Sequence, residues 1–201
     1  ANIAAIQARG GIQLTSADIE GPQGFGELHA VTSDIKEALP QADIVMVVVP
    51  AWAHRAIACM AAPHLRDGQI IVLNPGRTCG ALEFAYTLRH EGCRVDVTLA
   101  EAETLVYASR SDGPAQARIF RIKDAVPLAA LPATRTRQVL EALHPAYPQF
   151  IDGRNVLHTS LNNMGAIFHP ALTLLNAARI ESTRGDYQFY VDGVTPAVAH
   201  V

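Results

Sequence analysis

Between residues 42 and 99, apolar positions form short, nearly unbroken runs separated by stretches with helical spacing. Ala42 to Val49 (Ala42-Asp43-Ile44-Val45-Met46-Val47-Val48-Val49) is almost continuously apolar and β-branched, as expected of a parallel strand buried on both faces. A second such run, Gln69 to Leu73, ends at Asn74-Pro75-Gly76. A helix is predicted between them from about Ala53 to Leu65, another over 81–90, and a third strand over 94–99. Strand, helix, strand, helix, strand at this spacing predicts a doubly wound α/β sheet.

Upstream, residues 1–14 read as a helix stopped by Gly10-Gly11 and followed by a short strand, Ile12-Gln13-Leu14. The glycine-rich stretch from Ser16 to Gly26 is expected to be a loop, and Leu28 to Val31 a strand. Ser33 is placed to cap a helix over 34–39. Beyond residue 100, strands are expected over 117–122 and 125–128. A helix capped by Thr134 is expected to run to Leu143, with a break at Pro145 and Pro148. From Asn155 to Ile180 the chain turns apolar and helical. The expected division is a Rossmann-like unit over 1–153 and the start of an all-α domain over 154–201.

Composition narrows the partners. The chain has 201 residues, a net charge of -3 and no clustered basic field, so neither nucleic acid nor an acidic membrane surface is an expected partner. The longest apolar runs, such as Ile44 to Ala53, are too short to span a bilayer, and the N-terminus lacks the pattern of a secretory signal. Three cysteines, Cys59, Cys79 and Cys93, match no metal template. Reduced thiols and a cytoplasmic location are the expectation, and no metal site is expected.

One feature of a dinucleotide-binding unit is absent. Such a unit normally opens with a strand and G-x-G-x-x-G, whose glycines let backbone amides approach a pyrophosphate. The dense cluster Gly21-Pro22-Gln23-Gly24-Phe25-Gly26 has the wrong spacing, contains a proline and opens no helix. The chain begins instead inside a helix, Asn2 to Arg9. The expectation is that roughly 25 to 35 residues of strand, glycine turn, helix and second strand lie outside it.

Candidate chemistry sits where the strands leave the sheet, because ligands of open α/β sheets lie outside the carboxyl ends of strands. Pro50, Ala51 and His54 follow the first strand. They would line the ribose and nicotinamide of a cofactor, unless Pro50 merely ends the strand and His54 is a surface residue. Asn74, Pro75 and Gly76 follow the second: glycine permits close approach of a flat ring, and asparagine offers both a donor and an acceptor. An ordinary turn would use the same residues. Glu101, Glu103 and Thr104 follow the third. Acidic groups there suit a substrate ammonium, although loops also carry solvated acidic pairs. Arg110 suits a substrate carboxylate or a surface salt bridge.

His169 stands on a predicted helix where Asn162, Ala166, His169, Thr173 and Asn176 share one face. Leu161, Met164, Ile167, Phe168, Leu172, Leu174 and Leu175 occupy the rest. A polar stripe on an apolar helix faces water, a partner or a cleft. Pro170 beside it implies a break or kink, or a helix that begins at Pro170. Histidine exchanges a proton near neutrality, so His169 is a candidate acid–base group, with a core histidine bonded to backbone as the alternative. Asp186 and Asp192 are weak candidates for its carboxylate partner.

Several segments, in order, resemble those of the octopine/nopaline (opine) dehydrogenases. Asn2 to Ile12 is similar to the segment that follows the family's second Rossmann strand. Val49-Pro50-Ala51-Trp52-Ala53-His54 resembles its strand-4 exit, and Leu73-Asn74-Pro75-Gly76-Arg77 with Gly80 its strand-5 exit. Glu101 to Arg110 is similar to E-T-x-T-x-x-Y-x-x-R. Asn162-Asn163 with His169-Pro170, and Gly193-Val194-Thr195-Pro196, resemble motifs of its helical domain.

The resemblance implies an NAD- or NADP-dependent oxidoreductase acting on CH–NH bonds. Such an enzyme condenses an amino acid with an α-keto acid and reduces the imine to a secondary amine. It further implies catalytic roles for His169 and Asn162, cofactor contacts for Pro50, Ala51, His54, Asn74, Pro75 and Gly76, and substrate contacts for Glu101, Thr104, Arg110 and Thr195. Ala102 stands where threonine is usual and Ser109 where cysteine is common, so substrate preference is expected to differ. The choice between NAD and NADP rests on a position expected before Ala1. A homo-oligomer is compatible with this reading. The alternative is another two-domain reductase, ketopantoate reductase-like or glycerol-3-phosphate dehydrogenase-like. Those use a lysine in the helical domain, whereas this chain has only Lys36 and Lys123. A third reading is a catalytically inactive fragment or binding module.

Overall fold

Nine strands and ten α-helices are present among the residues that the computed structural model describes, 2–17, 21–184 and 186–201. In chain order the strands are β1 Gly11–Ser16, β2 Gly24–Glu27, β3 Ile44–Val47, β4 Ile70–Leu73, β5 Thr98–Ala102, β6 Tyr107–Gly113, β7 Gln116–Ile122, β8 Val126–Leu131 and β9 Phe150–Asp152. The helices are α1 Asn2–Arg9, α2 Ile35–Ala38, α3 His54–Ala61, α4 Gly80–His90, α5 Thr136–Leu143, α6 Val156–Leu161, α7 Gly165–Leu175, α8 Ala177–Ser182, α9 Phe189–Asp192 and α10 Pro196–Ala199. Two compact units result, Ala1–Leu161 and Asn162–Val201.

The first unit holds a five-stranded sheet in the order β3-β4-β5-β8-β9. Strands β3, β4 and β5 run parallel, β8 is antiparallel to β5, and β9 is parallel to β8. The period-two alternation of side chains divides the core between its two faces. Ile71, Leu73 and Ala129 pack with Ala58, Phe84 and Leu88 on the α3 and α4 side. Ile70, Val72, Leu128 and Ala130 pack with Val139, Leu143 and Phe150 on the α5 side. Both faces are covered, so β4 is apolar at every position and wholly buried. β3 is different: it is an edge strand among the described residues, and Val48 just after it is 57% exposed.

A separate four-stranded sheet has the order β2-β1-β7-β6. Here the glycine cluster is not simply a loop: Gly24–Glu27 pairs antiparallel with β1, while residues 18–20 of the expected loop lie outside the described residues. Leu28 to Val31 is irregular rather than a strand. Its place is taken by the preceding glycines, since a Cβ at Gly11 would collide with the Gly26 carbonyl across the pair. β6 had no hydrophobic signal; its polar, exposed residues are ordered by pairing with β7.

Several boundaries differ from expectation. Asp34, not Ser33, caps α2 by accepting the Lys36 N–H at 2.9 Å. The third parallel strand covers 98–102 instead of 94–99, because Asp96 is fixed outside the sheet by a bidentate pair with Arg135 at 2.8 and 3.0 Å. Arg135 also stands at the cap position of α5, and Thr134 lies in a 3-10 turn before it. The expected helix over 155–180 is broken into α6, α7 and α8.

Candidate active site

In the first unit, three hydrogen bonds tie the strand exits together. Asn74 N–H donates to Val47 O, Gly76 N–H to Ala102 O, and Glu103 N–H to Pro127 O, each at 2.9 Å. Pro50 and Ala51 are exposed at the β3 exit beside Trp52, which is 85% exposed. Asn74, Pro75 and Gly76 are buried at the β4 exit. Asn74 Nδ2 lies 3.5 Å from Met46 Sδ, and Asn74 Oδ1 is buried without a hydrogen-bond partner among the described residues. A buried, unused amide oxygen at a strand exit is an acceptor awaiting a donor.

Beyond Gly76 the chain turns through Arg77 and Cys79, both at positive φ (59° and 61°). Non-glycine residues in this region cost about 1 kcal/mol or more each, so the surrounding contacts must hold them. Cys79 N–H donates to Ser160 Oγ at 3.0 Å. Ser160 Oγ in turn donates to Glu101 Oε1 at 2.6 Å, as does Thr159 Oγ1 at 2.7 Å. Ala81 N–H donates to Glu101 Oε2 at 2.9 Å.

Glu101 therefore departs from the expected substrate-ammonium site. It is 1% exposed, and its carboxyl group is committed to three internal donors. It also explains Gly76, where a Cβ would fall on Glu101 Cβ and lie 2.6 Å from Oε2. His54 departs likewise. It is fully enclosed at the start of α3, with both ring nitrogens unpartnered among the described residues, so its ring is neither at the surface nor open to a cofactor. A Cβ on Gly80 would lie 3.1 Å from its Nδ1. Burial lowers its pKa, and Glu83 only partly counters this.

The β5 exit carries the groups that do remain available. Thr104 Oγ1 accepts a hydrogen bond from Lys123 Nζ at 2.8 Å. Glu103 Oε2 is buried and unpartnered among the described residues. Sequence reasoning gave Lys123 no role in this site, because it follows β7, far along the chain; its N–H bonds Val106 O at 3.0 Å and brings it back to the exit. Arg110 lies elsewhere, exposed in the middle of β6 and facing Arg118 in register.

The second unit is organised around α7. His169 Nδ1 lies 3.0 Å from Gly165 O and Nε2 3.0 Å from Tyr190 Oη. A carbonyl only accepts, so the neutral ring carries its proton on Nδ1, and Nε2 accepts a hydrogen bond from the Tyr190 hydroxyl. Phe189 stacks on the ring with centroids 6.2 Å apart. Pro170 is inside α7, not at its start.

Two expectations about this helix change. Asn162 precedes α7 and does not share its face, while Asn176 is buried and donates to Leu172 O and Gly193 O. Asp192 does not partner His169; it accepts from Arg179 and from Gln188 N–H. Thr195 caps α10 through the Val198 N–H at 3.3 Å. Tyr190 was missed, and the adjacent aromatics Phe189-Tyr190 were its only signal. The described residues contain no group of His, Cys, Asp or Glu arranged to hold a metal, and no helix long and apolar enough to cross a membrane.

Residues 152–201 match the model of the NAD/NADP octopine/nopaline dehydrogenase alpha-helical domain. An opine dehydrogenase of Arthrobacter sp. (strain 1C) is 44% identical over 195 residues, covering 96% of this chain and 52% of that protein. The chain thus spans about half the length of the curated relative it matches. Among solved structures, octopine dehydrogenase with NADH and L-arginine superposes with a TM-score of 0.77 at 23% identity, over 98% of this chain and 51% of that one. Yersinopine dehydrogenase in its apo form gives 0.75 at 16%, over 97% and 50%. A ketopantoate reductase of Ralstonia eutropha JMP134 gives 0.56 at 19%, over 88% and 51%. These last three likenesses concern the fold alone. With the helical-domain match at one end and 44% identity along nearly all its length, the chain is similar to the octopine/nopaline (opine) dehydrogenases over the half of such a protein that it spans.

Proposed function

We propose that the protein carrying this chain is an NAD(P)H-dependent oxidoreductase that joins an amino acid to a 2-oxo acid by reductive condensation. The observation that carries this reading is the 44% identity to a curated opine dehydrogenase across 96% of the chain. Residues 1–153 are read as part of its dinucleotide-binding domain and 154–201 as part of its helical domain.

The β3 and β4 exits fit the nicotinamide end of such a cofactor. Asn74 Oδ1 is a buried acceptor without a partner among the described residues, suited to a carboxamide N–H. Pro50 and Ala51 offer small exposed surfaces at the exit of β3, the strand paired with β4. When bound, the cofactor supplies a hydride to the carbon of the C=N bond. The protein's own contribution is to bind both substrates and to manage a proton. His169 suits the latter: Gly165 O fixes Nδ1 as the protonated nitrogen, which leaves Nε2 to exchange a proton with the condensing groups. Tyr190, bonded at Nε2, marks the position that substrate polar atoms take over.

The test is consumption of NADH or NADPH with pyruvate and a panel of amino acids. Turnover that requires both substrates is expected. Oxidation with the 2-oxo acid alone would favour a ketone reductase, and no turnover across the panel would remove this substrate class. His169→Gln is expected to lower kcat by about a hundredfold or more.

A further inference from the structure

A cleft of about 560 Å³ opens where α4 ends, β5 begins and β8 ends. This is the amino edge of the parallel strands, opposite the exits that carry Asn74 and Thr104. Its floor is aliphatic. Leu99 and Leu131 stand in register across the antiparallel β5–β8 pair and so share one face of the sheet, and α4 adds Ala85 and Leu88. Leu88 and Leu99 are buried, whereas Ala85 and Leu131 are half-buried, so part of this floor still meets water. A concavity of this size with an apolar wall and few charged groups has the build of a small-molecule site.

The charge around it is one-sided. Arg135 is paired bidentately with Asp96 at 2.8 and 3.0 Å and also donates to Thr98 Oγ1 at 3.1 Å. Arg89 and Arg94 line the same cleft, and among the described residues neither guanidinium forms an ion pair. Arg89 is not needed to cap α4 either. The Thr87, Leu88 and Arg89 carbonyls accept the N–H groups of Glu91, Cys93 and Gly92. Three arginines against one aspartate leave the lining with two unbalanced positive charges. Both oxygens of that aspartate are already committed to Arg135.

We propose that this cleft binds a small aliphatic carboxylate, its chain on the leucine floor and its carboxylate held by Arg89 and Arg94. A guanidinium presents paired donors that match the two carboxylate oxygens. None of the described lining residues is aromatic, so the planar base of a nucleotide finds no stacking surface. A sugar, whose hydroxyls need acceptors as well as donors, finds no uncommitted side-chain oxygen. The site is separate from the reaction proposed above, and its occupancy is read without turnover.

Cys93 lines the cleft, half-buried and with a free thiol, and serves as its reporter. The protein is treated with iodoacetamide, and alkylation of each cysteine is followed by peptide mass spectrometry, with Cys59 and Cys79 as internal controls. Octanoate is expected to slow alkylation of Cys93 saturably, by about tenfold at ten times its dissociation constant, and to leave the two controls unchanged. Calorimetric titration with octanoate should give the same dissociation constant. Octanol, which lacks the charge, and acetate, which lacks the chain, should each bind at least about tenfold more weakly. Arg89→Met and Arg94→Met should each weaken octanoate about tenfold, with Arg94→Lys retaining part of the affinity and unchanged control rates showing an intact fold. The proposal is overturned if calorimetry detects no saturable octanoate binding, or if both Met variants bind it like the parent. Octanol binding as tightly as octanoate, acetate or inorganic phosphate binding as tightly, or equal protection of all three cysteines would overturn it as well.

Discussion

A buried histidine with no partner on either ring nitrogen is a costly residue, and among the described residues His54 is one. Its lowered pKa means that the folded chain resists a proton that the unfolded chain accepts near pH 6.5. The contribution is therefore complete above that value and is lost progressively as the pH falls through it. The denaturant midpoint should drop between pH 7.5 and pH 5, and His54→Leu should flatten that drop while leaving stability at pH 7.5 equal or higher. An unchanged pH slope in the variant would contradict this account. At this scale the sequence was only partly legible. His169 stood out because a histidine beside a proline interrupts an apolar run. Its partner Tyr190 lies on another short helix, α9. His54 and Glu101 were misread because strand exits usually face ligands, whereas here both side chains are buried, against Gly80 and Gly76.

Glu101 acts on whole elements. Through three hydrogen bonds one side chain joins β5 to the first turn of α4 and to α6. Removing it strands a backbone amide and two hydroxyls in the interior, so Glu101→Ala should cost roughly 3 kcal/mol, read by urea denaturation. Gly76→Ala, which forces β4's exit away from Glu101, should cost about 1–3 kcal/mol. Wild-type stability in either variant would mean that the exits are looser than described. Which elements could be foreseen follows the same physics. β4 was evident because both of its faces are buried and every position is apolar. β5 was displaced by several residues because a buried glutamate reads as the end of a strand. β6 gave no signal because its order comes from pairing with β7, a long-range contact that no local pattern encodes. The breaks between α6, α7 and α8 fall at Asn162-Asn163 and Asn176, residues that periodicity alone treated as part of one polar stripe.

For the molecule as a whole, the alternation of strands and helices correctly implied a doubly covered α/β sheet, but not the separate four-stranded sheet, whose β1 and β7 pair across about a hundred residues of chain. β3 exposes its hydrogen-bonding edge and Val48 among the described residues, a surface that favours strand-to-strand association. Val48→Lys should reduce self-association of the 201-residue chain in light scattering without lowering its stability; unchanged association would place the contact elsewhere. The proposed reaction joins its two substrates through a C=N bond that the cofactor's hydride reduces. Incubating the protein with NADH deuterated at both C4 positions, pyruvate and an amino acid, then analysing the product by mass spectrometry, tests it directly. The account predicts a secondary amine carrying one deuterium on the carbon that was the keto carbon. Deuterated lactate with no amine adduct, or no transfer at all, would contradict it.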